Sequence, residues 1–194
     1  MQEIKIKHLY FLFSIIILTN LCTVPIAHAD EAIKITVANA KYGDPQSQFK
    51  LGMAFLSKDS ALEYNSVRAV YWLEEAALRG HIGAQINLGG FYYDGVIVFK
   101  SYETSFKWYK LAAEKGEPIA QLYLSELYNE GKGTDKDRTT AYAWLLTAEK
   151  NIKLKQVNRL KISKERLEKE LLEAQKEQAE IISKKFIRIN KKKL

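Results

Sequence analysis

Residues 81–116 read HIGAQINLGGFYYDGVIVFKSYETSFKWYKLAAEKG. In order, the stretch holds Gln85, Leu88-Gly89, Tyr92, Asp94-Gly95, Trp108 and Ala112-Ala113, and it closes on Gly116. Upstream the same order runs Gln48, Leu51-Gly52, Phe55, Trp72, Ala76-Ala77 and Gly80. Downstream it runs Gln121, Leu124-Ser125, Tyr128, Gly131, Trp144, Ala148 and, more loosely, Asn151. Trp72, Trp108 and Trp144 are separated by 36 residues in both intervals. Self-similarity at this period, with no charge block between copies, indicates stacked helix pairs, none able to bury its apolar face alone.

Each copy divides into a helix A and a helix B. Pro45 and Pro118 suit a first helical turn, which has no use for the missing amide proton. The spacing predicts helix A over Pro45 to Ser57, Ile82 to Asp94 and Pro118 to Asn129, and helix B over Val67 to Arg79, Tyr102 to Lys115 and Thr139 to Lys150. Gly95 and Gly131 end the second and third helix A, and Gly80 and Gly116 the first two helices B, by taking the left-handed conformation. Gly52 and Gly89 stand inside helices, where glycine costs about 1 kcal/mol against alanine. A large side chain is therefore expected on the bare backbone, and the tryptophan of a neighbouring helix B is the candidate. Ala76, Ala77, Ala112 and Ala113 would likewise let helices approach closely.

The order small residue, Ala-Gln, Leu-Gly, aromatic, Gly, Trp and Ala-Ala-x-x-Gly resembles the Sel-1-like repeat, a relative of the tetratricopeptide repeat. Three copies cover about 38–80, 81–116 and 117–151. The second matches best, from Gly83-Ala84-Gln85 through Trp108-Tyr109 to Gly116. The third keeps a Gly-x-Gly loop as Gly131-Lys132-Gly133, followed by Asp137 and Ala141. The first is the most divergent, with Ala61 and Leu62 where that loop should be. The resemblance implies an all-α fold, a right-handed α-solenoid of about three helix-turn-helix repeats that serves as a scaffold or adaptor, often in exported bacterial proteins. It also implies that helix A lines a concave face. Positions there outside the pattern are the candidate partner contacts: Asn87, Tyr93, Tyr123, Glu126 and Asn129. Tyr92 and Tyr128 belong to the pattern and are expected in the core. In the loop Val96-Ile97-Val98-Phe99, Ile97 stands where the third copy has Gly133, and a β-branched residue resists glycine's backbone angles. The loop should differ in shape, with Ile97 or Phe99 partly exposed as further contact residues.

Both ends of the chain carry their own signals. Lys5 and Lys7 precede an apolar run from Leu9 to Leu18, and Ala27-His28-Ala29 offers small residues to a signal peptidase. This predicts a signal peptide over 1–29, cleaved between Ala29 and Asp30, and hence a periplasmic or secreted protein. The apolar run is about half the roughly 20 residues that a spanning helix needs. Leu21 ahead of Cys22 argues against lipidation. Beyond the third copy, 152–194 reads as basic capping helices and a tail. The ending resembles the family's, with Asn158-Arg159 and Leu172-Glu173-Ala174-Gln175, but the usual Thr-Pro break is missing. Leu154 to Ile187 is therefore either two helices or one kinked helix. Val157, Leu160, Leu167, Leu171, Ala174 and Ile181 form its apolar seam, interrupted by Lys164, Gln178 and Lys185. From Asn151 onward 14 Lys or Arg face 6 Glu, whereas 30–150 carries a net charge of −2. The basic end suits an anionic envelope surface, with a solvated helix and a disordered tip as the plainer reading. No aromatic residues interleave as single-strand nucleic-acid binders require, so nucleic acid is not an expected partner.

Signal cleavage would remove Cys22, His8 and His28 and leave His81 as the one histidine. No disulfide framework could form, no set of His and Cys remains for a metal, and no nucleophile would have its usual base. His81 is expected to cap helix A of the second copy or to face water. No catalytic residue, cofactor or metal is expected, and the chain reads as a monomeric binding protein rather than an enzyme. Glu74, Glu75, Glu126 and Glu130 keep open a cell-wall lytic reaction using paired carboxylates. A basic protein associated with the envelope surface is the other alternative.

Overall fold

The ends of the helices show how local chemistry writes the fold. Asn65, Ser101 and Asp137 stand at 36-residue intervals, each just before a helix B. Their side chains accept from the amides of Arg68 at 2.9 Å, Thr104 at 3.2 Å and Thr140 at 3.0 Å. Each satisfies one of the four orphan donors of a first turn, as an N-cap does. The backbone N–H of the same three residues donates to the carbonyls of Phe55, Tyr92 and Tyr128, each at 2.9 Å, which ties the end of helix A to the start of helix B. Asp44 and His81 cap two helices A in the same manner: Asp44 accepts from Ser47 N at 2.7 Å, and His81 Nδ1 from Ala84 N at 3.1 Å.

The computed structural model describes residues 31–60, 62–151 and 158–193, and among them every regular element is an α-helix. The order is α1 (31–41), α2 (Pro45–Ala54), α3 (Ser66–Leu78), α4 (Ile82–Asp94), α5 (Tyr102–Ala113), α6 (Pro118–Glu130), α7 (Arg138–Asn151), α8 (Asn158–Glu170) and α9 (Glu173–Lys193). Helices α2, α4 and α6 are the three copies of helix A, and α3, α5 and α7 those of helix B. The signal segment with its cleavage point, Ala61, and Leu154 to Val157 lie outside the described residues.

One buried hydrogen bond repeats with the fold. Gln48, Gln85 and Gln121 each donate through Nε2 to the carbonyl eight residues back, on Ala40, Ala77 and Ala113, at 3.1, 2.9 and 3.0 Å. Each carbonyl lies in the last turn of the helix before, where α-helical bonding leaves acceptors unfilled. A glycine follows three residues later in every case, with φ of 90° at Gly43, 88° at Gly80 and 91° at Gly116. Helix α1 therefore holds the place of a helix B, and the repeat pattern begins one helix earlier than the first Gln-to-Trp copy.

The described residues divide into two compact units, one up to Trp72 and one from Leu73 on, with the division inside α3. In the first, Ala40, Leu51, Phe55 and Ala69 are buried together, with Val37, Leu56, Leu62 and Trp72 against them. Helix α2 ends at Ala54, three residues before Ser57, on the right-handed cap Phe55, since no glycine there offers a left-handed close. In the second unit α4 packs on α5, α5 on α6 and α6 on α7, and both α8 and α9 cover α7.

The expectation that tryptophan covers the helix-interior glycine is corrected. A Cβ on Gly89 would lie 2.8 Å from the ring of Tyr109, the residue after Trp108. The position following each tryptophan is fully buried in all three copies, as Leu73, Tyr109 and Leu145. Trp72 and Trp108 are only half-buried. Trp144 is buried because α9 lays Phe186 on it, ring centres 4.0 Å apart and 15° from parallel.

The C-terminal segment is two helices. The N–H of Leu172 donates to Gln175 Oε1 at 2.9 Å, the reciprocal half of a capping box, and this starts α9 without the Thr-Pro break. Leu160, Leu167 and Leu171 are buried as the seam required, but Ala174 and Ile181 face solvent. The buried face of α9 is instead Ala179, Ile182, Ser183, Phe186 and Asn190, which packs on α7 and includes a Ser183–Thr147 hydroxyl pair at 3.0 Å. The basic tip continues as helix to Lys193 rather than as a loose tail.

Candidate binding surface

Within the second unit four tyrosines from three successive helices meet. Tyr123 of α6 lies flat on Tyr109 of α5, ring centres 4.8 Å apart and 3° from parallel. Tyr93 of α4 stands edge-on to Tyr123 at 5.8 Å and to Tyr102 of α5 at 5.4 Å. Tyr109 is the buried floor, and the other three keep part of their surface in solvent. A cation closes each side. Lys132 Nζ sits 4.9 Å from the centre of the Tyr102 ring and 5.8 Å from that of Tyr93, and the Arg159 guanidinium sits 4.5 Å over Tyr123. These distances permit cation–π attraction.

The charges are held in place by carboxylates. Arg159 forks onto Glu126, Nε to Oε1 at 2.7 Å and Nη2 to Oε2 at 2.5 Å, and Nη1 donates to the Tyr123 hydroxyl at 3.1 Å. Glu126 is nearly buried while Arg159 is half-exposed, so the fork neutralises a carboxylate that would otherwise be poorly solvated. The hydrogen bond to Glu126 holds the Arg159 pKa above its ordinary value. Lys132 pairs with Glu130 at 2.6 Å, and that bond raises its pKa. Burial, then the charge of Glu130, raises the Tyr93 phenol, and burial raises that of Tyr109 strongly. At neutral pH Tyr93 and Tyr109 are therefore neutral phenols, set among two fixed cations.

Three of the seven residues singled out from sequence come together here: Tyr93, Tyr123 and Glu126. Asn87 and Asn129 are half-buried on α4 and α6, and Asn129 Oδ1 is a buried acceptor with no hydrogen-bond partner among the described residues. Ile97 is half-buried and Phe99 is 97% exposed, with Val96 also in solvent. None of the loop's four apolar residues is among those packed in the core cluster that holds the tyrosines. The loop opens as its counterpart does, on a left-handed Gly95 with φ 73° against 69° at Gly131, but among the described residues no non-glycine has positive φ. Ile97 thus departs from Gly133, whose φ is 72° and whose Cβ would lie 2.2 Å from the Tyr102 carbonyl oxygen.

Sequence reasoning missed Tyr102, Tyr109, Lys132 and Arg159 as members of this surface. Arg159 and Lys132 had been visible as parts of the C-terminal and Gly-x-Gly motifs, but which tyrosine each cation meets depends on helix packing. The four carboxylates weighed for a lytic reaction have separate partners: Glu74 accepts from Tyr92 at 3.1 Å, Glu75 pairs with Arg79 at 2.6 Å, Glu126 with Arg159 and Glu130 with Lys132.

Comparison with known proteins follows the same repeat. The Sel1 repeat model matches residues 45–81, 82–117 and 118–151. The chain belongs to the Sel1 repeat family. Among solved structures it is similar to a protective antigen present in uropathogenic Escherichia coli strains and displaying an SLR fold. Identity is 32% and the TM-score 0.70, over 83% of this chain and 33% of that one. It is also similar to a Sel1 repeat protein from Oxalobacter formigenes, at 37% identity and a TM-score of 0.60, over 71% of this chain and 98% of that one. The chain thus spans about a third of the antigen's length and nearly all of the second protein's. No curated protein matches the sequence. The all-α repeat fold is that of these Sel1 proteins, and Sel1 repeats generally mediate protein–protein interaction.

Proposed function

We propose that this Sel1 repeat chain is an exported, non-catalytic adaptor that binds another protein at the tyrosine surface of α4, α5 and α6. One observation carries the reading: rings from three helices share a cluster held rigid by Tyr109 beneath and by two paired cations at the rim. Tyrosine supplies a large apolar face and a polar tip at small entropic cost, which suits a protein contact. The exposed tip at Val96 and Phe99 is a second contact, because apolar side chains gathered on a loop mark interaction surfaces.

The test is capture of envelope proteins on the purified chain, compared with Tyr93→Ala/Lys132→Ala and with Phe99→Ser, each checked by circular dichroism. Loss of one defined partner in the first variant supports the tyrosine surface. Retention there with loss in Phe99→Ser moves recognition to the loop, and retention in both overturns the assignment. Export is tested separately by N-terminal sequencing of the product made from the full reading frame. A chain starting at Asp30 supports it, and an intact N-terminus inside the cell refutes it.

A further inference from the structure

The outward face of α9 has a composition that neither the repeat nor the tyrosine surface uses. Ile181, Lys184, Lys185 and Arg188 follow three- and four-residue spacings and therefore share one side of the helix. All four are exposed, Ile181 by 68%, and the exposed Ile189 flanks them. The opposite side holds the helix down through Phe186 on Trp144 and Ser183 on Thr147. From Ile181 to the end there is no acidic residue. Among the described residues Lys185 and Arg188 have no ion-pair partner, and Lys184 has only Glu180 at 4.0 Å. Unmatched cations on a packed helix attract a polyanion without first paying to order a tail.

We infer that this face docks the protein onto an anionic lipid surface. Exposed isoleucines flanking the cations favour lipid over nucleic acid, since a bilayer interface accepts aliphatic side chains beside headgroup-pairing lysine and arginine. A single-strand binder would present rings for base stacking. The aromatic residue of this segment, Phe186, is turned inward onto Trp144.

Cosedimentation of the full chain with phosphatidylcholine vesicles, with and without phosphatidylglycerol, tests the inference. The comparison is with Lys184→Gln/Lys185→Gln/Arg188→Gln in the same full chain, which removes whatever the apolar stretch near the N-terminus contributes. Binding to the anionic vesicles should exceed that of the variant by on the order of 100-fold. The difference should shrink as salt rises, and Ile181→Ser should weaken binding less than the triple change. Thermal melting should be alike in all, because the altered side chains are exposed. Equal binding by parent and variant overturns the inference, and so does a parent that binds a single-stranded oligonucleotide more tightly than it binds the anionic vesicles at the same salt.

Discussion

A Cβ at residue 89 meets the Tyr109 ring at 2.8 Å, and a planar ring stacked on Tyr123 has little room to yield. Gly89→Ala would gain about 1 kcal/mol of helix propensity and lose about 1–3 kcal/mol to overpacking. A net loss of stability is expected in urea unfolding. Adding Tyr109→Leu should relieve that loss, because Leu73 and Leu145 occupy the equivalent place in the other copies. Gln85→Ala should cost about 0.5–1.5 kcal/mol, the net worth of its 2.9 Å hydrogen bond, because the Ala77 carbonyl keeps the Gly80 N–H at 3.0 Å. The glutamine and glycine positions were legible as a period in the sequence. What they touch was not, because a repeat shows that a residue is required without showing which neighbour requires it.

At the scale of elements, α8 and α9 fasten the last repeat in different ways. Arg159 of α8 reaches α6 through Glu126 and Tyr123, so a double-mutant cycle of Arg159→Ala with Glu126→Gln should give a coupling of about 1–2 kcal/mol. That lies between an exposed pair and a fully buried one, as the half-exposed arginine implies. Helix α9 instead works by apolar cover. Phe186→Ala should cost about 2–3 kcal/mol, somewhat less than a fully buried phenylalanine, and should shift Trp144 fluorescence toward the solvent-exposed wavelength. A loss below about 0.5 kcal/mol by the same unfolding measurement would mean that the stack contributes no cover. The seam read from sequence placed Ala174 and Ile181 inside, a choice that periodicity allows. Packing on α7 chose the neighbouring face through Ala179, Ile182 and Phe186 instead.

For the molecule as a whole, burial is the leading cause of raised phenol pKa values at Tyr92, Tyr93, Tyr109, Tyr128 and Tyr142. The fold favours the neutral phenol, so this contribution is complete below the ordinary value of 10.0 and is lost as pH rises through the higher folded values. The urea midpoint should therefore fall from about pH 10 upward, with tyrosinate absorbance from these rings appearing together with unfolding. A midpoint that stays level while that absorbance grows would show the rings to be open to water. Charge acts at the same scale: a net charge of +8 from Asn151 onward against −2 over 30–150 was plain in the sequence, but that Lys184, Lys185 and Arg188 share one exposed side of a packed helix was not.

The sequence by itself determined the helix-pair repeat, its 36-residue period, the glycine closures and the family, because caps, turns and helical spacing are local and leave their marks in order along the chain. Only the tertiary structure decided that Tyr109 covers Gly89, that α1 takes the place of a helix B, that α9 buries the side it does, and that Tyr93, Tyr102, Tyr123, Lys132 and Arg159 share one surface. Those outcomes depend on which side chains from separate helices fill the same volume. Close packing and ring stacking settle that, and sequence spacing leaves it open.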